Sequence, residues 1–130
     1  MPINISWFNH EKTIIKHEYV GRWTLEEYNE AIAYSNQLVA QQTHRVDAII
    51  DMTRGNWIPN NFLQRGQNLL AERPPNTGQI VIVGASSIVQ AVSHLFERVF
   101  RMQNKPLKFL FAKTVEDGIH KFEPRPSHTE

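Results

Sequence analysis

Cysteine is absent from the 130 residues. That removes disulfides, thiol catalysis, iron–sulfur clusters and cysteine-bound zinc together. An excess of one charge is also missing. Fourteen Lys+Arg stand against thirteen Asp+Glu, for a net charge of +1, and non-specific nucleic-acid binding ordinarily needs a much larger basic surplus. Long hydrophobic runs are missing too: the longest apolar stretches, such as Ile80-Val81-Ile82-Val83, are strand-sized. The opening Met1-Pro2-Ile3-Asn4 has no basic region followed by an apolar one. These absences lead us to expect a cytoplasmic chain with no membrane span and no nucleic-acid partner. The six histidines show no His-x-x-x-His spacing, so neither a metal nor a cofactor is expected. Gly-x-Gly-x-x-Gly, the Gly-Lys-Ser/Thr of a nucleotide loop and a nucleophile elbow are all lacking.

The remaining composition is that of a single globular domain. With 41% apolar residues, a chain of this length buries roughly two-thirds of its unfolded surface and needs no metal or crosslink. Ile3, Ile5 and Trp7 alternate with polar neighbours, Asn9-His10-Glu11-Lys12 interrupts, and Thr13 to Val20 resumes the extended pattern, which together read as a hairpin. Thr24 and Glu27 have capping-box spacing. Behind them Tyr28, Ala31, Ile32, Ser35, Leu38 and Val39 recur at helical steps, with Trp23 and Tyr28 placed to staple the helix entry.

Val46 to Met52 reads as a strand broken by Arg54-Gly55-Asn56, and a helix is expected from about residue 61 to 72. Arg73-Pro74-Pro75 forbids its continuation, since proline removes the amide donor. The unbroken Ile80-Val81-Ile82-Val83 predicts a strand covered on both faces, placed at the sheet centre. Gly84-Ala85-Ser86-Ser87 leads into a helix with Ile88, Val89, Val92, Leu95, Phe96 and Val99 as its inward stripe. A last strand, Leu107 to Phe111, precedes a short helix with an acidic first turn. The order β-β-α-β-α-β-α-β-α predicts a single-domain mixed α/β sheet over residues 1–123, parallel apart from one hairpin strand. Residues 124–130 have no apolar side chain and are expected to form a mobile tail.

This element order resembles the STAS fold of anti-sigma-factor antagonists, and more closely its SpoIIAA-like branch of small bacterial proteins. The resemblance spans Ile3 to Phe122. It rests on Tyr19-Val20-Gly21-Arg22-Trp23-Thr24 ahead of the first helix, Ile49-Ile50-Asp51-Met52-Thr53 at a strand end, and Phe111-Ala112-Lys113-Thr114-Val115-Glu116-Asp117 before the last helix. In the antagonists an aspartate, an apolar residue and a Ser/Thr end this strand. A later Asp-Ser-Ser-Gly presents a serine that a partner kinase phosphorylates. Asp51-Met52-Thr53 is similar to the first motif, but Ile58-Pro59-Asn60-Asn61 stands where the second belongs, and Asn60 has no hydroxyl to phosphorylate. The resemblance therefore implies the fold and a bias towards binding a protein or small ligand, without the kinase switch and without an enzymatic reaction.

Ligands of open α/β sheets gather beyond the C-terminal ends of the parallel strands. Three loops should converge there: residues 52–61, 84–87 and 112–114. The expected binding residues are Thr53, Trp57, Asn60, Asn61, Ser86 and Ser87. Trp57 and Ile58 either anchor a partner from the loop tip or fold back onto the domain. Ser86 or Ser87, and likewise Asn60 or Asn61, either cap helices or hold an anion. Arg98, Arg101, Lys105 and Lys108 read as a solvated basic face.

Three readings of function follow. The first is a non-enzymatic regulatory module that binds a protein partner or a second copy of itself at the rim. The second is a small-molecule binder or carrier, with an apolar pocket between the sheet and the helices of residues 61–72 and 87 onward, lined by Trp57, Phe62, Leu70 and Phe96. The third, a hydrolase or isomerase, requires Asp51 and His17 to meet.

Overall fold

The first helix forms where the capping box predicts it. In this computed structural model, which describes residues 2–60, 62 and 71–123, helix α1 (Leu25–Ala40) begins behind Thr24, whose hydroxyl accepts from the Glu27 amide at 3.1 Å while the Glu27 carboxylate accepts from the Thr24 amide at 2.9 Å. Two orphan donors of the first turn are thus satisfied reciprocally. Its inward stripe of Leu25, Tyr28, Ala31, Ile32, Ser35 and Val39 is buried.

Five strands form one sheet in chain order: β1 (Ile3–Trp7), β2 (Ile14–Val20), β3 (Val46–Arg54), β4 (Thr77–Val83) and β5 (Phe109–Ala112). β1 pairs antiparallel with β2, and every other pairing is parallel. The two remaining helices among the described residues are α2 (Ser87–Met102) and α3 (Val115–Ile119). The helix expected over residues 61–72 falls mostly outside the described residues, as does the tail at 124–130.

Strand alternation divides the interior into two layers. Ile80 and Ile82 of β4 join Ile15, Tyr19, Ala48, Met52 and Phe109 against α1 and α2, whereas Val81 and Val83 join Ile49 on the other face beneath Val115, Ile119 and Phe122. Coverage on both faces explains the unbroken apolar run of β4.

The sheet centre, however, is β3 and not β4. Asp47 and Asp51 hide it in the sequence, because carboxylates interrupt the apolar pattern although both are buried. Asp47 is 0% exposed; its Oδ1 accepts from the Gln79 amide at 2.8 Å and its Oδ2 receives Arg45 at 3.2 Å. A buried carboxylate is tolerable only when so satisfied. β5 also begins later than its apolar run implies, at Phe109, whose amide donates to the Glu97 carboxylate at 2.6 Å.

Helix α1 has no basic residue in its last turn. Its exposed carbonyl end is satisfied from elsewhere in the chain by Asn76, just ahead of β4. The Asn76 amide nitrogen donates to the carbonyls of Val39 (2.8 Å), Gln42 (3.2 Å) and His44 (3.0 Å), two N–H groups shared among three acceptors. This joins the end of α1 to the start of the parallel pair β3–β4. Replacing Asn76 with Ala removes a donor from all three carbonyls, and the expected loss is about 1–3 kcal/mol in urea unfolding. A loss near zero in that titration contradicts the assignment.

Candidate functional site

The three loops expected to converge do so, and one asparagine ties two of them together. The Asn56 amide nitrogen donates to the carbonyls of Met52 (2.8 Å) and Gly84 (2.9 Å), and its carbonyl oxygen accepts from the Ser86 amide at 2.9 Å. The third loop joins through the Gly84 amide, which donates to the Ala112 carbonyl at 2.9 Å. Gly84 sits at φ +71°, and a Cβ there would come within 2.6 Å of Thr53 Cγ2. Glycine is required both for the left-handed turn and for the close approach.

Within this rim the expected residues separate. Thr53 is exposed, with its amide (3.0 Å) and hydroxyl (2.7 Å) both donating to Asp51 Oδ1, so Asp51 stabilises the strand end. Trp57 remains 38% exposed, and the Arg22 guanidinium stacks over its ring at 4.3 Å. Ile58 turns inward instead and packs against the core, so the apolar pair divides between surface and interior. Asn60 is exposed, and Asn61 lies outside the described residues. Ser86 caps α2 by accepting from the Val89 amide at 3.2 Å, and Ser87 is its exposed first residue. Because the Ser86 amide and hydroxyl are already engaged, this turn has fewer donors left for an anion, and capping is the role the geometry supports. Arg98, Arg101, Lys105 and Lys108 are all exposed, as a solvated face requires.

A second feature lies under the helices, on the inward face of the sheet. A cavity of about 90 Å³ is walled by β2, β3 and β4, by α1 and α2, and by Phe62. Ile50, Met52, Ile58, Phe62 and Phe96 supply apolar surface. Of the four residues expected to line a pocket here, Phe62 and Phe96 do so, Trp57 does not, and Leu70 lies outside the described residues. Trp57 stays at the surface while Ile58, the next residue, turns in to the wall.

Two residues of this wall carry a ring nitrogen without a partner. His17 is buried, and its Nε2 meets the Ser35 hydroxyl at 2.8 Å, while its Nδ1 has no partner. Trp23 is held in an aromatic cluster by Tyr19 (ring centroids 5.1 Å apart), Tyr28 (5.7 Å) and Phe62 (5.3 Å), and its Nε1 has no partner either. Burial lowers the His17 pKa from 6.5 to about 4, keeping the ring neutral. Burial also pushes the Tyr19 phenol upward, with the neighbouring Tyr28 adding to the effect.

His17 and Asp51 cannot form an acid–base pair. His17 faces the helix-covered cavity with Ile50 and Met52, whereas Asp51 points to the opposite face, 3.9 Å from Lys16 Nζ. Strand alternation places them on two sides of the sheet. Among the described residues no group of three acidic or histidine side chains could hold a metal ion, and no helix is long and apolar enough to cross a membrane.

Sequence reasoning located the rim but missed Asn56, read only as a turn former, and missed the unpartnered nitrogens of His17 and Trp23. Periodicity marks His17 as inward-facing. It carries no information about which distant group, if any, meets the ring.

No protein-family model and no curated protein matches the chain. The chain is similar in structure to a protein of the DUF3478 family with a SpoIIAA-like fold from Shewanella loihica PV-4, with a TM-score of 0.61 and 18% identity over 93% of this chain and 92% of that one. The fold is therefore SpoIIAA-like, a mixed α/β architecture on one five-stranded sheet.

Two predictions follow from this geometry. Asn56→Ala removes three hydrogen bonds, two of which bridge to the loop at Gly84 and Ser86; this should cost about 1–3 kcal/mol and speed hydrogen exchange at the Ser86 amide, and unchanged Ser86 exchange would refute its bridging role. The unfolded chain protonates His17 near pH 6.5 and the folded chain only near pH 4, so the unfolded state binds more protons between those values. Stability should thus fall by up to about 3 kcal/mol as pH drops from 6.5 to 4. His17→Leu should flatten that part of the pH–stability curve, measured by denaturant titration at successive pH values.

Proposed function

We propose that this SpoIIAA-like chain is a non-enzymatic, cytoplasmic binding module that docks a protein partner on the rim formed by Thr53, Trp57, Asn60 and Ser86. The observation that carries this reading is Trp57: a large aromatic side chain 38% exposed on a loop whose base is fixed by Asn56. Rigid, partly exposed tryptophans are the side chains most often responsible for affinity at interfaces. Arg22 over the indole holds its orientation, which lowers the ordering cost of binding. Ile88, two residues beyond the Ser86 cap, is a second large apolar side chain left exposed, at 69%. The separation of His17 from Asp51 supports recognition over catalysis. The near-neutral charge favours a protein over a nucleic acid as the partner.

A second reading, a small-molecule carrier, is favoured by the cavity beneath α1 and α2. An apolar space between sheet and helices is where such ligands are commonly held.

For the docking reading, Trp57→Ala should weaken self-association or binding to a copurified partner about tenfold or more, with the melting temperature unchanged. Sedimentation equilibrium reads the first and calorimetry with the isolated partner reads the second. Equal affinities for wild type and variant would remove Trp57 from the interface. For the carrier reading, xenon or isopentane should raise the melting temperature of the wild-type protein, and no rise with either would leave the cavity without a ligand role.

A further inference from the structure

An open sheet has two edges, and the backbone groups along an edge strand stay unpaired unless something covers them. The two edges here are built differently. β5 has only four residues, follows Pro106 and Lys108, and gives its Phe109 amide to the Glu97 carboxylate at 2.6 Å. β1 has none of these guards. Ile3-Asn4-Ile5-Ser6-Trp7 contains no charge and no proline, its pairing with β2 runs without a bulge, and no described strand lies on its outer side.

Which groups point outward follows from the two ends of the β1–β2 ladder. The Pro2 carbonyl accepts from the Val20 amide at 2.7 Å, and the Phe8 amide donates to the Ile14 carbonyl at 2.8 Å. In an antiparallel ladder every second residue turns its N–H and C=O to the neighbour. Asn4 and Ser6 therefore face β2 with their backbone, as Pro2 and Phe8 do, and Ile3, Ile5 and Trp7 face the free edge.

We propose that β1 is a dimer interface, on which a second copy of the chain pairs its own β1 antiparallel about a two-fold axis through Ile5. This register opposes all the outward residues of the strand, Ile3 to Trp7, Ile5 to Ile5 and Trp7 to Ile3, and each pair exchanges both backbone bonds. The side chains agree with it. Ile3, Ile5 and Trp7 lie on the face covered by α1 and pack on the core. The register brings Trp7 of the second copy beside Ile3, at an open groove between β1 and α1 with apolar walls of Ile3, Ile5, Ala31 and Tyr34. Tyr34 is the large aromatic that a lone chain leaves to solvent in this groove, at 51% exposed.

On the opposite face Asn4 stands beside Glu18 and Ser6 beside Lys16. Across the axis Asn4 meets Ser6, so each row ends in Glu18 of one copy and Lys16 of the other, and no like charges are opposed in the sheet. This charge complementarity favours a second copy. Glu27 and Glu30 also border the groove, the first held at the helix cap by the Thr24 amide, and an extended basic peptide is the rival occupant. The proposal assigns self-association to this edge and leaves the rim to a different protein.

Hydrogen exchange followed by NMR on the full chain at rising protein concentration reads the interface directly. The Ile5 and Trp7 amides should slow about tenfold or more, in step with the dimer fraction from sedimentation equilibrium, while the Asn4 and Ser6 amides stay protected at every concentration. Asn4→Lys/Ser6→Lys sets like charges against each other across the axis, as does Asn4→Glu/Ser6→Glu; each alone should dimerise about tenfold more weakly, and an equimolar mixture of the two should recover the wild-type association. Trp57→Ala should leave the Ile5 and Trp7 protection unchanged, which separates this interface from the rim. Edge amides unprotected at every concentration, a dimer indifferent to both charge variants, or protection gained only with an added lysine-rich peptide would each overturn the proposal. Should a charge variant fail to fold, the wild-type exchange pattern decides the matter alone.

Discussion

Strand alternation is the constraint on which the rest of this molecule depends. In β2, β3 and β4 successive side chains must enter opposite layers, and both layers are covered. His17 is thereby committed to the apolar interior below α1 and α2, and Asp51 to the opposite face beside Lys16. A one-residue slip in register would exchange the two sets and bury the charges of Lys16 and Glu18 among Tyr28 and Phe96. The division between a polar strand end and an apolar cavity is thus a consequence of period two combined with parallel pairing.

The same pairing creates the rim. Parallel strands β3, β4 and β5 end at one side of the molecule, and their following loops have no choice but to meet there. Meeting is not yet order. Asn56 supplies that, by spending both its donors and its acceptor on backbone groups of two loops. Trp57 is then presented from a braced position beside Arg22.

Much of this was legible in the sequence because it is encoded locally. The Thr24–Glu27 box, the helical stripe behind it, the unbroken run of β4 and the Ser86 cap each concern residues within a few positions of one another. What escaped depends on distant partners. β3 was not recognisable as the centre because Asp47 and Asp51 look like surface residues, and the Gln79 amide that meets Asp47 in the interior lies 32 residues along the chain. Asn56 and Asn76 look like ordinary loop asparagines, yet their amides reach carbonyls some 28 to 37 residues away. Ile58 resembles its neighbour Trp57 in hydrophobicity, and only the path of the loop across the sheet end decides which is buried.

The central claim is that His17 lies in an apolar layer separated by the sheet from the carboxylate of Asp51. Following the His17 ring resonances through a pH titration, in the wild-type protein and in Asp51→Asn, tests this most directly. The account predicts a midpoint near 4 that the substitution leaves in place. A midpoint close to the ordinary 6.5, or one displaced by loss of the carboxylate, would contradict it.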